Sequence, residues 1–306
     1  MPTYAPRPTP DSKPRRLLLL LTVWLGLCCG MEPVSAQFIF RDYGPHPRHT
    51  PPDAIKAEGA LLMRADTGEV LYARNPDMRL LPASTTKLMT ALIVYEKNNR
   101  NLGGSVTIDE SDRAEPSNIP VVPGETISVN TLFHALLIES ANDSARVLGR
   151  YVAGSNEAFV RMMNERALAM GLFNTHFENP NGLPAPRGTH FTSCADLMQI
   201  FRAVIKYPEL AQILSTKEYV IRTESGTHFL HNHNLLLGRY PGMGPAKTGW
   251  TEASRHTYAC AVTQNGHTLL LILLDSPDKW VDAQILFNWG FAQIAAQPPE
   301  NPGVAP

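Results

Sequence analysis

Strand-like apolar runs stand at both ends of the foldable part of this 306-residue chain, and helical patterns fill its middle. That order obliges the two ends to share one antiparallel sheet, with a helical lobe inserted between them: an α+β fold. Near the start, Gly59 to Arg64 and Glu69 to Tyr72 flank Ala65-Asp66-Thr67-Gly68, a hairpin signal. Toward the end, Tyr219 to Arg222, Thr248 to Thr251, Tyr258 to Thr263 and Thr268 to Leu274 read as strands, the last two joined at Asn265-Gly266. Between them helices are expected over Thr131 to Ile138, Asp143 to Val152, Asn156 to Met170 and Ser193 to Tyr207, the last opened by a Ser193 to Asp196 capping box. A helix from about Thr85 to Glu96 is apolar on several sides (Leu88, Met89, Ala91, Leu92, Val94), as a buried central helix should be.

Three short motifs fall on this framework in fixed order: Ser84-Thr85-Thr86-Lys87, Ser140-Ala141-Asn142 and Lys247-Thr248-Gly249. Alone, each is common, and Ser84 alone reads as an N-cap hydroxyl. In order, they describe an acylating serine with its proton handlers. Ser84 at a helix start has a free backbone N–H at the positive end of the dipole, and Lys87 lies one turn on along the same face. A serine hydroxyl needs a neighbouring base, and a lysine serves only if burial and a nearby cation, here Lys247, lower its pKa. Ser140, at a junction of two helices, can relay a proton to a leaving amine. Asn142 can hold Lys87 and a substrate amide, although it also fits a helix cap. Lys247-Thr248-Gly249-Trp250 is expected on an edge strand, Lys247 and Thr248 facing a substrate carboxylate and Gly249 admitting close backbone approach. The Trp250 and Ser84 N–H groups would form an oxyanion hole.

Other residues carry weaker signals. Ser276-Pro277-Asp278-Lys279 repeats the first motif but follows the third, and reads as the cap of the helix bearing Trp280, Ile285, Leu286 and Trp289. Ser128-Val129-Asn130 precedes an apolar helix, with Asn130 as its cap. His231 and His233 alternate on a strand-like segment without Cys or acidic partners nearby, so a surface or hydrogen-bonding role is expected and no metal is assigned.

The flanks bear on location. Arg7, Lys13, Arg15 and Arg16 precede the apolar run 17–29, and Val34 and Ala36 fit cleavage before Gln37, so residues 1–36 read as a signal peptide or, uncleaved, as an N-terminal anchor. The chain is therefore expected to be exported, periplasmic or in the cell envelope. Residues 37–54 read as a Pro-rich linker, 55–297 as one catalytic domain and 298–306 as a disordered tail. A formal net charge of −1 gives no nucleic-acid footprint. Past the leader two cysteines remain, Cys194 and Cys260, read as free buried thiols.

From about Gly59 to Phe291 the chain resembles the low-molecular-mass penicillin-binding proteins, the serine D-alanyl-D-alanine carboxypeptidases. The resemblance rests on the three motifs, Pro82-Ala83, Leu88-Met89-Thr90, Asn142-Asp143, the loop Phe177 to Leu183, Asn234-Leu235-Leu236 and Lys247 to Thr251. It implies a β-lactamase/transpeptidase-like fold, no metal or organic cofactor, and removal of the terminal D-alanine from peptidoglycan stem pentapeptides through a Ser84 acyl-enzyme that β-lactams trap. A DD-endopeptidase cutting cross-links and a non-catalytic β-lactam sensor are the alternatives. A class A β-lactamase would need a deacylating glutamate, and Glu178 belongs to the Asn179-Pro180-Asn181-Gly182-Leu183 loop instead. The chain departs from many relatives at Ala141 (usually glycine), at Glu252 to His256, and in lacking an arginine after the following strand, where Lys279 is the nearest basic residue. No C-terminal membrane anchor is expected.

Overall fold

The computed structural model describes residues 52–185 and 189–296. The leader, most of the linker and the tail lie outside the described residues. Strands β1 (Gly59–Arg64) and β2 (Val70–Arg74) form the expected hairpin, and β7 (Met243–Thr251), β8 (Arg255–Gln264) and β9 (His267–Ser276) follow from the other end. All five make one sheet in the order β2-β1-β9-β8-β7, so β1 seats between its own neighbour and the chain's last strand. The pairs along β1 and β9 run antiparallel from Gly59↔Leu274 to Arg64↔Leu269. Strands β2 and β7 are the two edges.

Alternation along β9 shows why its sequence is uninterrupted Leu and Ile. Leu270, Ile272 and Leu274 join the core around helices α1 (Lys87–Lys97) and α5 (Cys194–Ile205). Leu269, of the opposite parity, meets the other layer, α7 (Lys279–Ala296), whose Gly290 packs beside it and Leu62. A sheet covered on both faces has no solvent side to make polar, so it reads as a continuous apolar run. Helix α1 is buried on every side from Leu88 to Tyr95, as its pattern demands.

The inserted lobe contains α2 (Val129–His134), a π-helical turn Ala135–Glu139, α3 (Asn142–Ala153) and α4 (Asn156–Ala169), with α6 (Pro208–Leu214) following α5. The expected strand over Tyr219 to Arg222 is β5 (Glu218–Thr223), but its partner β6 (Gly226–His231) and the separate pair β3 (Ser105–Thr107) with β4 (Thr126–Ser128) were not expected from the sequence. Three caps differ from expectation. Ser128, not Asn130, caps α2, accepting from the Thr131 N–H at 3.0 Å. Asp278, not Ser276, caps α7, accepting from Trp280 and Val281 N–H, because Ser276 still belongs to β9 and turns its hydroxyl to Asp282. Ser193 does cap α5 through the Asp196 N–H, but the Asp196 carboxylate receives Asn174 N–H and the Thr175 hydroxyl. Cys194 and Cys260 are free and buried.

Candidate active site

The chain enters the site through a short 3-10 turn, Ala83–Thr86, that runs straight into α1. No side chain caps this turn, so Ser84 is not an N-cap. Its Oγ lies 2.8 Å from Lys87 Nζ, which is also 2.7 Å from Asn142 Oδ1 and 2.7 Å from the Asn181 carbonyl oxygen. The Asn142 orientation is fixed by its Nδ2, which donates to the Glu115 carbonyl at 2.8 Å. Asn142 therefore does not cap α3 either: Ala141 occupies that position.

Asn142 and Asn181 offer only acceptors to Lys87, so they take two N–H groups. A neutral amine has two, and keeps its lone pair for the Ser84 hydroxyl proton. Burial, followed by the charge of Lys247, holds Lys87 well below the usual lysine range, with Asp143 pulling the other way. Asp143 is itself pushed up to about 6 by burial, opposed by the N–H groups of Ser144 and Ile119.

The second motif is placed by a helix break. The π turn ends at Glu139, Ser140 takes a left-handed conformation (φ 65°), and α3 begins at Asn142. Ser140 Oγ accepts from Lys247 Nζ at 2.8 Å, and no hydrogen bond joins it to Lys87.

Strand parity corrects one expectation about the third motif. Side chains alternate along a strand, so Lys247 and Thr248 cannot face the same way. Lys247 is paired with Ala259 on the α1 side of the sheet and turns behind Ser140, 2% exposed, while Thr248 is paired with Tyr258 on the α7 side and lines the cleft. Lys247 also donates to the Thr248 carbonyl, and burial with the Lys279 charge lowers its pKa to about 7. Gly249 lies against the nucleophile: a Cβ there would come 2.8 Å from the Ser84 backbone nitrogen and 3.1 Å from Ala83 Cβ. The Trp250 side chain is 61% exposed beside it.

The resulting cleft encloses about 460 Å³ and is lined by Ser84, Ser140, Asn142, Thr248 and Gly249, with Lys279 on the α7 side. Lys279 is 6% exposed, bonded at 2.9 Å to His256 Nδ1 and set 4.3 Å over the Trp280 ring. Its pKa falls to about 8 through burial, and that of His256 to about 4 through burial and the Lys279 charge. Near pH 7 the pair is thus a neutral imidazole accepting from an ammonium. His233 also lines the cleft, its Nε2 3.6 Å from Glu139 Oε1, and His231 offers its backbone N–H to the same carboxylate. Among the described residues no group of three or more His, Cys, Asp or Glu could hold a metal ion.

Sequence reasoning missed three main-chain contributors. The Asn181 carbonyl holds Lys87, and the Glu115 and Ser117 carbonyls fix Asn142 through its amide and its backbone N–H. Main-chain groups leave no residue-type signature. Only the Asn179-Pro180-Asn181-Gly182 turn signal marks where one of them sits.

A family model described as D-alanyl-D-alanine carboxypeptidase matches residues 46–278. The D-alanyl-D-alanine carboxypeptidase DacB2 of Mycobacterium tuberculosis is 34% identical over 234 residues, covering 74% of this chain and 79% of that protein. A D-alanyl-D-alanine endopeptidase of Pseudomonas aeruginosa is 31% identical over 285 residues, 90% of this chain and 88% of that protein. Among solved structures, the Streptomyces K15 DD-transpeptidase superposes with a TM-score of 0.74 at 29% identity, covering 79% of this chain and all of that one.

Proposed function

Because the chain belongs to the D-alanyl-D-alanine carboxypeptidase family, we propose that it removes the terminal D-alanine from peptidoglycan stem peptides with Ser84 as nucleophile. The observation that carries the reading is the fully buried Lys87 amine 2.8 Å from Ser84 Oγ. Lys87 takes the Ser84 proton as Oγ bonds to the penultimate carbonyl carbon. The backbone N–H groups of Ser84 and Trp250, brought side by side by Gly249, hold the oxyanion. The C–N bond breaks, and the departing amine takes, through Ser140, the proton that Lys87 gained, which returns Lys87 to the neutral amine. Water then attacks the ester, its proton passing to Lys87, and Ser84 regains a proton as the shortened peptide leaves.

Two positive groups serve the substrate carboxylate in different ways. Lys247 polarises Ser140 from behind, while Lys279, with Thr248, meets the carboxylate from the cleft wall. No arginine is needed for that contact. β-Lactams enter by the same attack and remain on Ser84. The basic and apolar leader supports export to the envelope, as does a substrate that lies in the wall.

A second reading, cleavage of peptide cross-links, is favoured by the long match to the endopeptidase relative. Incubating the purified chain with a pentapeptide ending in D-Ala-D-Ala and with cross-linked muropeptides, followed by mass spectrometry, separates the two. Free D-alanine from the first substrate alone gives the carboxypeptidase; scission of the second gives the endopeptidase. Release from neither overturns the catalytic reading.

A further inference from the structure

When Lys87 accepts the Ser84 proton it becomes an ammonium in a site with no water-facing surface, beside the second cation Lys247. Such a charge is costly unless something of opposite sign opposes it. Asn142 and Asn181 supply dipoles, and Ser140 is committed to Lys247.

Asp143 stands next to Asn142 at the start of α3, 3% exposed. Its Oδ2 accepts from the Ile119 N–H at 3.1 Å and its Oδ1 from the Ser144 N–H at 2.6 Å. The preceding residue, Asn142, donates its backbone N–H to the Ser117 carbonyl at 2.7 Å and its side-chain amide to the Glu115 carbonyl. Asp143 through Ile119, and Asn142 through Glu115 and Ser117, thus fasten the cleft wall 115–119, which carries the lining residues Pro116 and Ser117, to the helix that holds Asn142 against Lys87. Satisfying the first turn of α3 accounts for the bond from Ser144 but not for the bond from Ile119.

Resting on the reading of Lys87 as the base, we propose that Asp143 is a positioning residue for it: its buried carboxylate stabilises the Lys87 ammonium that forms as Ser84 is acylated, and anchors the wall that keeps Asn142 on that amine. The charged groups facing Lys87 are Asp143 and Lys247, and Lys279 in turn faces Lys247. Asp143 raises the affinity of Lys87 for a proton and Lys247 lowers it. Removing the Asp143 charge therefore makes Lys87 a weaker base, which stays neutral to lower pH.

The test is Asp143→Asn, which keeps the shape and an acceptor for Ile119, followed by the rate of acylation by fluorescent penicillin from pH 4.5 to 9. The acid limb of that profile is expected to move down by about one pH unit, the scale of an opposite charge nearby. The plateau should fall about tenfold, matching the weaker base. Asp143→Glu should leave the limb near its wild-type position. If Asp143→Asn does not fold, Asp143→Ser, an acceptor without charge, makes the same prediction. A limb that stays in place in the uncharged variants, whether or not the plateau falls, overturns the proposal by reducing Asp143 to a structural tie. Failure of the wild-type chain itself to acylate would overturn the nucleophile assignment instead.

Discussion

Gly249 on the sheet edge and Ser84 at the head of α1 are in backbone contact, and any side chain at 249 would sit 2.8 Å from the Ser84 nitrogen. In the proposed mechanism this close approach sets the width of the oxyanion hole. Gly249→Ala must push β7 outward by several tenths of an ångström, because the obstructing atoms are main chain and the short side chains of Ala83 and Thr257. A displacement of that kind at a preorganised donor pair costs about 100-fold or more in acylation. Stopped-flow acylation with a chromogenic cephalosporin checks this, and the far-ultraviolet spectrum should be unchanged.

Lys279→Met should raise KM for a pentapeptide with a free C-terminal carboxylate more than about tenfold while leaving kcat within a few-fold, since uniform binding is what it removes. An amidated C-terminus should bind both proteins equally weakly. In the wild type KM should climb as pH rises through about 8, where the Lys279 ammonium discharges. Steady-state kinetics across pH 6.5 to 9.5 with both substrates measures it.

Ser140→Ala leaves Lys247 without its hydroxyl partner and the leaving amine without a proton route. Acylation by a peptide substrate should slow by about 100-fold, in the range of a lost proton-transfer group. The strained ring of a penicillin depends less on amine departure, so its acylation should slow less. Comparing the two rates in one variant is the check.

Stability should depend on pH through the same lysines. Lys247 and Lys279 titrate in the folded chain at about 7 and about 8, and Lys87 is lowered as well, against an ordinary value of 10.5. Between about pH 7 and 10 the unfolded chain therefore binds more protons than the folded one, and stability rises with pH. As pH falls through the folded values that stabilisation is lost. The thermal midpoint should increase by a few degrees from pH 7 to 9, and Lys247→Met should flatten the slope. A midpoint that falls over this range contradicts the buried-lysine arrangement.

Much of this was legible before any coordinates because the signals were local or strongly periodic. The unbroken Leu269 to Leu274 run announced a strand, and Asn265-Gly266 announced its turn. The β5–β6 hairpin was half hidden because β6 buries Leu230 alone, leaving no alternation to read. Ser84, Lys87 and Asn142 were legible as a unit, and the structure puts Lys87 Nζ within 2.8 Å of both Ser84 Oγ and Asn142 Oδ1. The direction of Lys247 was not. It depends on which face of β7 looks at the lobe, which only the register with β8 decides.

The most direct test of the account is the intact mass of the protein after exposure to benzylpenicillin. The wild-type chain should gain the mass of one penicillin, located by peptide fragmentation on Ser84, and Ser84→Ala should gain nothing. Labelling of the alanine variant, or a wild-type adduct on any other residue, would contradict it.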